Sequence, residues 1–303
     1  MMYAQRNDIL TILKKYIGRY FFILLILISG SRASSQHLFT SVFVGESNYS
    51  GDLQEKPFTL TQAHPAFGFG LLFEINDKML IRGDFSYGKI SAADKYGSKN
   101  RSRNLSFFSN ITEYSIGFEY TLLNLYIYKV SPYLFTGVAL FDFNPYTKGE
   151  NGNPVYLAEL NTEGQGFYDG RKDYKLRQYS IPVGGGFQWA INDNKRIGIV
   201  FGFRKTFTDY LDDVSTTYVD ENLLRINRGQ KVVDIAYRGD EIAGGNPAYP
   251  AAGSQRGSPK SKDSYYFTGI TFRVRILPKK REIEFRYNPK KNRKASLRCP
   301  ALF

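Results

Sequence analysis

The chain offers little raw material for bond-making chemistry: two histidines, His37 and His64, and one cysteine, Cys299, in 303 residues. A lone Cys cannot close an internal disulfide or build a Cys-based zinc cage, and two His are too few for a His-rich metal site. His64 stands just before Pro65, with Thr59, Thr61 and Asp52 near in sequence. A base beside a hydroxyl is what an enzyme acting on lipid would need. The spacing is loose, however, and a structural or solvated imidazole is the preferred reading. By strand count His37 lies at the opposite end and cannot join it. Asp209, Asp212, Asp213, Asp220 and Glu221 could offer oxygens to a hard cation. Their spacing matches no EF-hand, and Arg225, Arg228 and Lys231 follow, so this loop reads as solvated and charge-mixed. Gly184-Gly185-Gly186 lies within a strand and Gly244-Gly245 in a loop with no helix after it, so neither is a phosphate loop. No catalytic residue, cofactor or metal site is expected, and the chain reads as a non-enzyme.

The chain carries 41 Lys and Arg against 28 Asp and Glu, a formal charge of +13. Residues 1–35 hold five basic side chains against one acidic and residues 278–303 nine against two, which leaves +2 for everything between. A nucleic-acid protein would carry a basic stripe on its folded body, interleaved with stacking aromatics. The body has none, so no nucleic-acid partner is expected. In the leader, Lys14, Lys15 and Arg19 precede the apolar run 21–28, which gives way to small residues at 29–31 and 33–35. That run falls short of the roughly 20 apolar residues a spanning helix needs. Its basic, apolar, small order is that of a secretory signal cleaved after Ser35, in preference to a membrane anchor.

The elements that position the body's charges have a period of two. Phe67, Phe69, Leu71, Phe73 and Ile75 alternate with Gly68, Gly70, Leu72 and Glu74; Met79, Ile81, Phe85 and Tyr87 alternate with Leu80, Arg82, Asp84 and Ser86. The same pattern recurs over 114–120, 181–191, 197–204 and 269–276. Two further segments, about 38–49 and 133–143, are strand-like but less cleanly sided, giving about eight strands. The 24 Phe and 23 Tyr suit pleated surfaces, and a mean hydropathy of −0.36 excludes a polytopic helical membrane protein.

A soluble sandwich would turn its large apolar residues inward and solvate a Lys-, Glu- and Thr-rich face. Here the non-aromatic face is glycine with isolated charges, which suits the interior of a narrow closed sheet whose apolar face meets lipid. By this register Glu74, Arg82, Asp84, Glu119, Arg204, Arg273 and Arg275 point inward. An eight-strand interior is just wide enough for side chains to fill, and lone buried charges are costly. The seven are therefore expected to pair into a plug rather than line a pore.

Connections alternate in length. Short Asn/Asp turns at 76–78 and 192–195 contrast with long polar stretches at 51–64, 91–105, 146–177 and 208–263. Short turns on one side and long loops on the other are the plan of an outer-membrane barrel, with turns in the periplasm and loops outside. An even strand number puts both termini on the periplasmic side. The tail there carries Lys279, Lys280, Arg281, Lys290, Lys291, Arg293 and Lys294, and alternates Ile283, Phe285 and Tyr287 with charged residues. It reads either as a strand that adds to a partner's sheet edge or as a floppy charged segment, and as a candidate for electrostatic docking.

Two segments carry a resemblance. The opening strand running into Asn48-Tyr49-Ser50-Gly51-Asp52-Leu53, and Arg256-Gly257-Ser258-Pro259 followed by Asp263-Ser264-Tyr265-Tyr266-Phe267-Thr268-Gly269-Ile270-Thr271-Phe272, resemble a Bacteroidota outer-membrane β-barrel family that includes the barrel component of the type IX (Por) secretion system. The resemblance spans residues 36–277. It implies a barrel that tethers a periplasmic secretion-ring protein and lipoprotein to the outer membrane, though the family also holds paralogues without a known role. The strand Gly269-Ile270-Thr271-Phe272-Arg273-Val274 also resembles the last-strand signal of barrel insertion, yet the chain continues to Phe303.

The expectation is therefore an all-β protein: a signal peptide over 1–35, a transmembrane antiparallel up-and-down barrel of about eight strands in outer-membrane lipid over 36–277, and a basic periplasmic tail over 278–303. The expected function is a non-enzymatic subunit anchoring a type IX secretion complex; the alternative is a barrel whose extracellular loops bind a ligand or surface polysaccharide.

Overall fold

A computed structural model describes residues 37–276 except 60, 150 and 169. The leader and the basic tail lie outside the described residues. Among the described residues ten strands form: β1 (His37–Ser50), β2 (His64–Asn76), β3 (Met79–Ala93), β4 (Ser106–Thr121), β5 (Val130–Asp142), β6 (Pro145–Lys148), β7 (Pro154–Tyr156), β8 (Arg177–Asn192), β9 (Lys195–Thr206) and β10 (Ser264–Arg275). Eight run in the antiparallel order β3-β2-β1-β10-β9-β8-β5-β4, and pairing of β4 with β3 closes the ring. The last strand lies beside the first, from Phe39 opposite Arg275 to Ser50 opposite Ser264. Closure satisfies every edge, the condition for a sheet to cross a bilayer. Among the described residues no helix is long and apolar enough to do so.

Three short connections share one end. Asn76 caps its turn by accepting the backbone N–H groups of Lys78 and Met79, and Asn192 accepts that of Asn194. The 122–129 connection is organised by Asn124, which accepts from the Tyr126 N–H and donates to Asp77 on the neighbouring turn at 2.8 Å.

The two faces of the wall differ as the alternation requires. Val44, Leu71, Ile116, Leu134, Trp189 and Ile199 stand outward and more than half exposed, an apolar belt with nothing but lipid to bury it. The fold is a transmembrane eight-stranded barrel. The two strands with unclear sides, β1 and β5, have aromatics on the inner face: Phe39, Phe43, Tyr133, Phe135 and Phe141 fill the lumen. Glycines opposite make the room. A Cβ on Gly202 would stand 2.9 Å from Phe135 Cζ, and one on Gly184 2.6 Å.

The long loops are not a solvated fringe, and here the structure corrects the sequence reading. The 207–263 connection holds two helices, α1 (Glu221–Arg228) and α2 (Gln230–Ala236). Asp220 N-caps α1 through the Leu223 N–H, and Gly229 at φ +87° separates the two helices. Beneath them Asp209, Asp212 and Asp213 are buried. Leu53, Leu105, Phe143, Leu157, Leu211 and Val214 pack into one core with Tyr49, Phe107, Phe141 and Tyr265 of the barrel mouth, so the loops form a cap continuous with the lumen. Within the 143–176 connection, β6 and β7 form a small hairpin that extends the sheet at the top of β4.

Candidate functional site

The lumen is the most highly organised charged region of the molecule, and its ion pairs fall into three layers along the axis. Nearest the short turns, Arg196 of β9 donates to Glu74 of β2 at 3.2 Å. The Tyr126 hydroxyl reaches in from the 122–129 turn, donates to Glu74 at 2.6 Å and accepts from Arg275 at 2.9 Å.

In the middle layer Glu119 of β4 is the hub. Arg273 of β10 donates to both its oxygens at 2.5 and 2.9 Å, Arg82 of β3 donates at 3.0 Å and Gln188 of β8 at 2.7 Å. Arg82 also forks onto Asp84, two residues along the same inner face, at 2.7 and 3.1 Å. Two arginines thus meet two carboxylates, and the layer is neutral. Nearest the cap, Arg204 of β9 forks onto Glu113 of β4 at 3.0 and 3.1 Å, and Tyr265 of β10 donates to the same carboxylate at 2.7 Å.

Each of these arginines also covers a ring. The guanidinium of Arg82 lies 4.3 Å from the Phe135 centroid, Arg196 4.3 Å from Phe39, Arg204 4.5 Å from Phe267 and Arg273 5.2 Å from Tyr133. Fork, carboxylate and ring together replace the water these charges give up. The lumen retains a cavity of about 50 Å³ beside Arg82, Asp84, Phe135 and Arg204, room for a few water molecules and not for a channel.

All seven inward-pointing charges read from the sequence lie in these layers. Five partners lie outside that set. Glu113 continues the Ser115, Gly117, Glu119 alternation by one more step, Gln188 continues that of Gly184 and Gly186, and Arg196 that of Gly198 and Gly202, so all three were legible in the pattern. Tyr126 comes from a turn and Tyr265 from an aromatic pair, and neither carries a periodic signal. The basic tail residues Lys279, Lys280, Arg281, Lys290, Lys291, Arg293 and Lys294 lie outside the described residues.

The cap has polar chemistry of its own. Arg256 donates to Glu163 at 2.9 Å and to the Asp213 carbonyl at 2.6 Å, while Glu163 accepts from the Ser215 and Thr216 N–H groups. Arg103 forks onto Asp94 at 2.8 and 2.7 Å. The Tyr49 hydroxyl lies 2.6 Å from Asp212 and 2.8 Å from Asp263. One phenolic proton cannot serve two carboxylates, so one of these contacts needs a protonated carboxyl. Burial accordingly holds Asp212 and Asp263 well above the ordinary carboxylate range. Burial also pushes Asp213 up to about 7 against the opposing pull of Arg256, and Asp209 to about 6. No group of three or more metal-ligating side chains is arranged to hold an ion among the described residues.

His64 is not partnered by Thr59, Thr61 or Asp52. Its Nε2 lies 2.7 Å from Ser91 Oγ, on the outside of the wall where β2 and β3 leave the belt. Among the described residues no carboxylate orients the other ring nitrogen, so the pair lacks the third member that a base needs to activate a hydroxyl. Thr59 instead exchanges backbone hydrogen bonds with the Tyr266 hydroxyl, folding the 51–63 loop over the outer wall.

The sequence profile of a domain of unknown function, DUF6089, matches residues 18–234. The chain belongs to the DUF6089 family. The match runs through the first seven barrel strands and into the two cap helices, so the cap lies largely within the family's domain. No curated protein matches the chain in sequence. Among solved structures it is similar to Ail of Yersinia pestis, at 12% identity and a TM-score of 0.37 over 80% of this chain and 100% of that one. It is also similar to neisserial surface protein A, at 9% and 0.38 over 81% and 100%, and to the N-terminal barrel domain of Pseudomonas aeruginosa OprF, at 9% and 0.35 over 80% and 100%.

Proposed function

We propose that this DUF6089 protein is a non-enzymatic outer-membrane barrel subunit that anchors a periplasmic type IX secretion complex to the outer membrane. The observation that carries the reading is the braced lumen. Three layers of ion-paired arginines leave no path for a solute, so the barrel serves as a fixed membrane body rather than a conduit. Its long-loop end is folded into a cap with its own core. The opposite end bears the short turns together with the start of β1 and the end of β10, after which the sequence continues into the basic segment. With loops outside and turns in the periplasm, a periplasmic ring protein and lipoprotein would meet that end. The resemblance of the 48–53 and 256–272 segments to the type IX barrel component supports the same assignment.

The test is copurification. An epitope inserted after Gly244, an exposed turn position at φ +74° with open space around it, allows recovery of the chain in mild detergent. The proposal expects periplasmic ring and lipoprotein subunits in the eluate; a barrel recovered alone would refute it.

A further inference from the structure

Outside the lumen, the shared wall of β3 and β4 changes character as it leaves the apolar belt. Its outward-facing pairs climb from Phe85 and Tyr114, through Tyr87 and Thr112, to Lys89 and Asn110, and then to Ser91 and Phe108. Two residues of strand advance the wall by about 6.6 Å. Lys89 therefore stands one step beyond the last ring of the belt, at the height of lipid headgroups.

At the next step β6 sets Tyr146 beside Phe108, and the two rings stack at 5.6 Å and 26°. Lys89 Nζ lies 5.1 Å from the Phe108 centroid and 5.4 Å from that of Tyr146, and Lys148 Nζ lies 5.6 Å from Phe108. Neither lysine has a carboxylate within ion-pair distance among the described residues, whereas neighbouring Arg238 is met by Glu241 at 2.7 Å. Beside the rings a groove of about 460 Å³ is lined by Phe108, Lys148, Ser91 and His64, and by Arg238 with its partner Glu241, within the size range of small-molecule clefts; Lys89 stands outside that lining, across the Phe108 ring.

Two ammonium groups gathered at one ring without a carboxylate partner favour an anion at this point of the wall. The apolar ring faces exclude a simple solvated counter-ion shell on one side, and the belt below fixes the height at which the anion is offered. We infer that this groove docks the phosphate of an outer-leaflet lipid headgroup. Lys89 and Lys148 hold the phosphate, the Phe108–Tyr146 stack receives the sugar or glycerol face, and the Ser91 hydroxyl and His64 imidazole supply polar contacts on the floor. The assignment does not rest on the anchoring role; it follows from the wall above the belt.

The experiment uses the full chain in detergent, with bound lipid counted by native mass spectrometry. The probes are diphosphoryl lipid A, the same lipid with its phosphates removed, and inorganic phosphate. The phosphorylated lipid is expected to bind at least tenfold tighter than its dephosphorylated form. Lys89→Gln with Lys148→Gln should abolish that preference, while Lys172→Gln with Lys260→Gln, on exposed loop positions, should leave it unchanged. Folding of each variant is checked by the mobility difference between boiled and unboiled samples, and Lys89→Gln alone, at a half-exposed site, stands in should the double variant not fold. Equal binding of the two lipids, or an undiminished preference in the Lys89 and Lys148 variants, would overturn the proposal. So would millimolar inorganic phosphate occupying the groove without retention of lipid, which would assign it to a soluble phosphate ligand.

Discussion

Arg273 and Glu119 stand on strands four apart in a ring of eight, and they meet across the full width of the barrel through two hydrogen bonds of 2.5 and 2.9 Å. A contact that spans a diameter fixes the cross-section in a way that neighbouring-strand pairs cannot. The Tyr265 hydroxyl and Glu113 repeat the relationship between the same two strands one layer nearer the cap, at 2.7 Å. Removing one partner strands a charge that is almost wholly buried.

Glu119→Gln leaves Arg273 and Arg82 facing a neutral amide. Breaking a buried pair in this way costs about 3–5 kcal/mol. Trp189, the single tryptophan, lies on the lipid-facing wall and reports unfolding by fluorescence. Urea unfolding in detergent is expected at correspondingly lower denaturant, and Glu119→Leu combined with Arg273→Met should recover much of the loss. An unchanged midpoint in Glu119→Gln would show that the braces contribute nothing to stability.

Planar bilayers containing the protein are expected to show no steady ion-conducting steps. Trimming residues 221–253 from the cap should leave the barrel closed, because the three ion-paired layers lie below those helices. Persistent steps in the full-length protein would contradict the filled lumen.

Gly202→Ala places a methyl group 2.3 Å from Arg204 Nη1 and 2.9 Å from Phe135 Cζ. Overpacking of this kind costs about 1–3 kcal/mol. Combining it with Phe135→Leu frees space, so the double variant should be more stable than the two single effects predict. A double-mutant cycle by urea unfolding measures that coupling, and strict additivity would argue against the contact.

The buried cap carboxyls give stability a pH dependence with a definite sign. Asp209 and Asp213 titrate near 6 and 7 in the folded cap, above the roughly 4 of an exposed carboxylate. An acid whose folded value is raised binds its proton more tightly folded than unfolded, so its contribution is whole below about pH 4 and is lost as pH rises through 6 to 7. Asp212 and Asp263, sharing the Tyr49 hydroxyl, act in the same direction. Amide protection over residues 208–216, corrected for intrinsic exchange, is expected to be higher at pH 5 than at pH 8. Asp212→Asn should flatten that difference.

How far the sequence reveals this molecule depends on what sets each feature. A pleat alternates faces in strict order, so Phe67 to Ile75 or Tyr114 to Tyr120 disclose strand, side and inward charge without further information. The ring's closure and the belt follow from the same pattern. Which charge meets which is set by strand tilt and stagger, and nothing local to Glu119 says that Arg273 is its partner. β1 and β5 resist siding because Phe39, Tyr133 and Phe135 face inward to cover the arginines while Val44, Leu134 and Val138 face outward, giving both faces apolar character. The cap is hidden for a different reason. Asp209, Asp212 and Asp213 look like solvated loop acids, and only the fold that buries them under Leu211 and Val214 and beside Tyr49 shows otherwise. The His64–Ser91 contact joins residues 27 apart on adjacent strands, and proximity in sequence points instead to Thr59 and Thr61.

The anchoring role is tested most directly by recovering the epitope-bearing chain from cells in two forms, full length and ending at Leu277, and quantifying what accompanies each. Stoichiometric periplasmic ring protein and lipoprotein with the full-length chain, and at least tenfold less of both with the truncated one, is the predicted result. Full-length barrel recovered without either partner from cells that still secrete normally would contradict it.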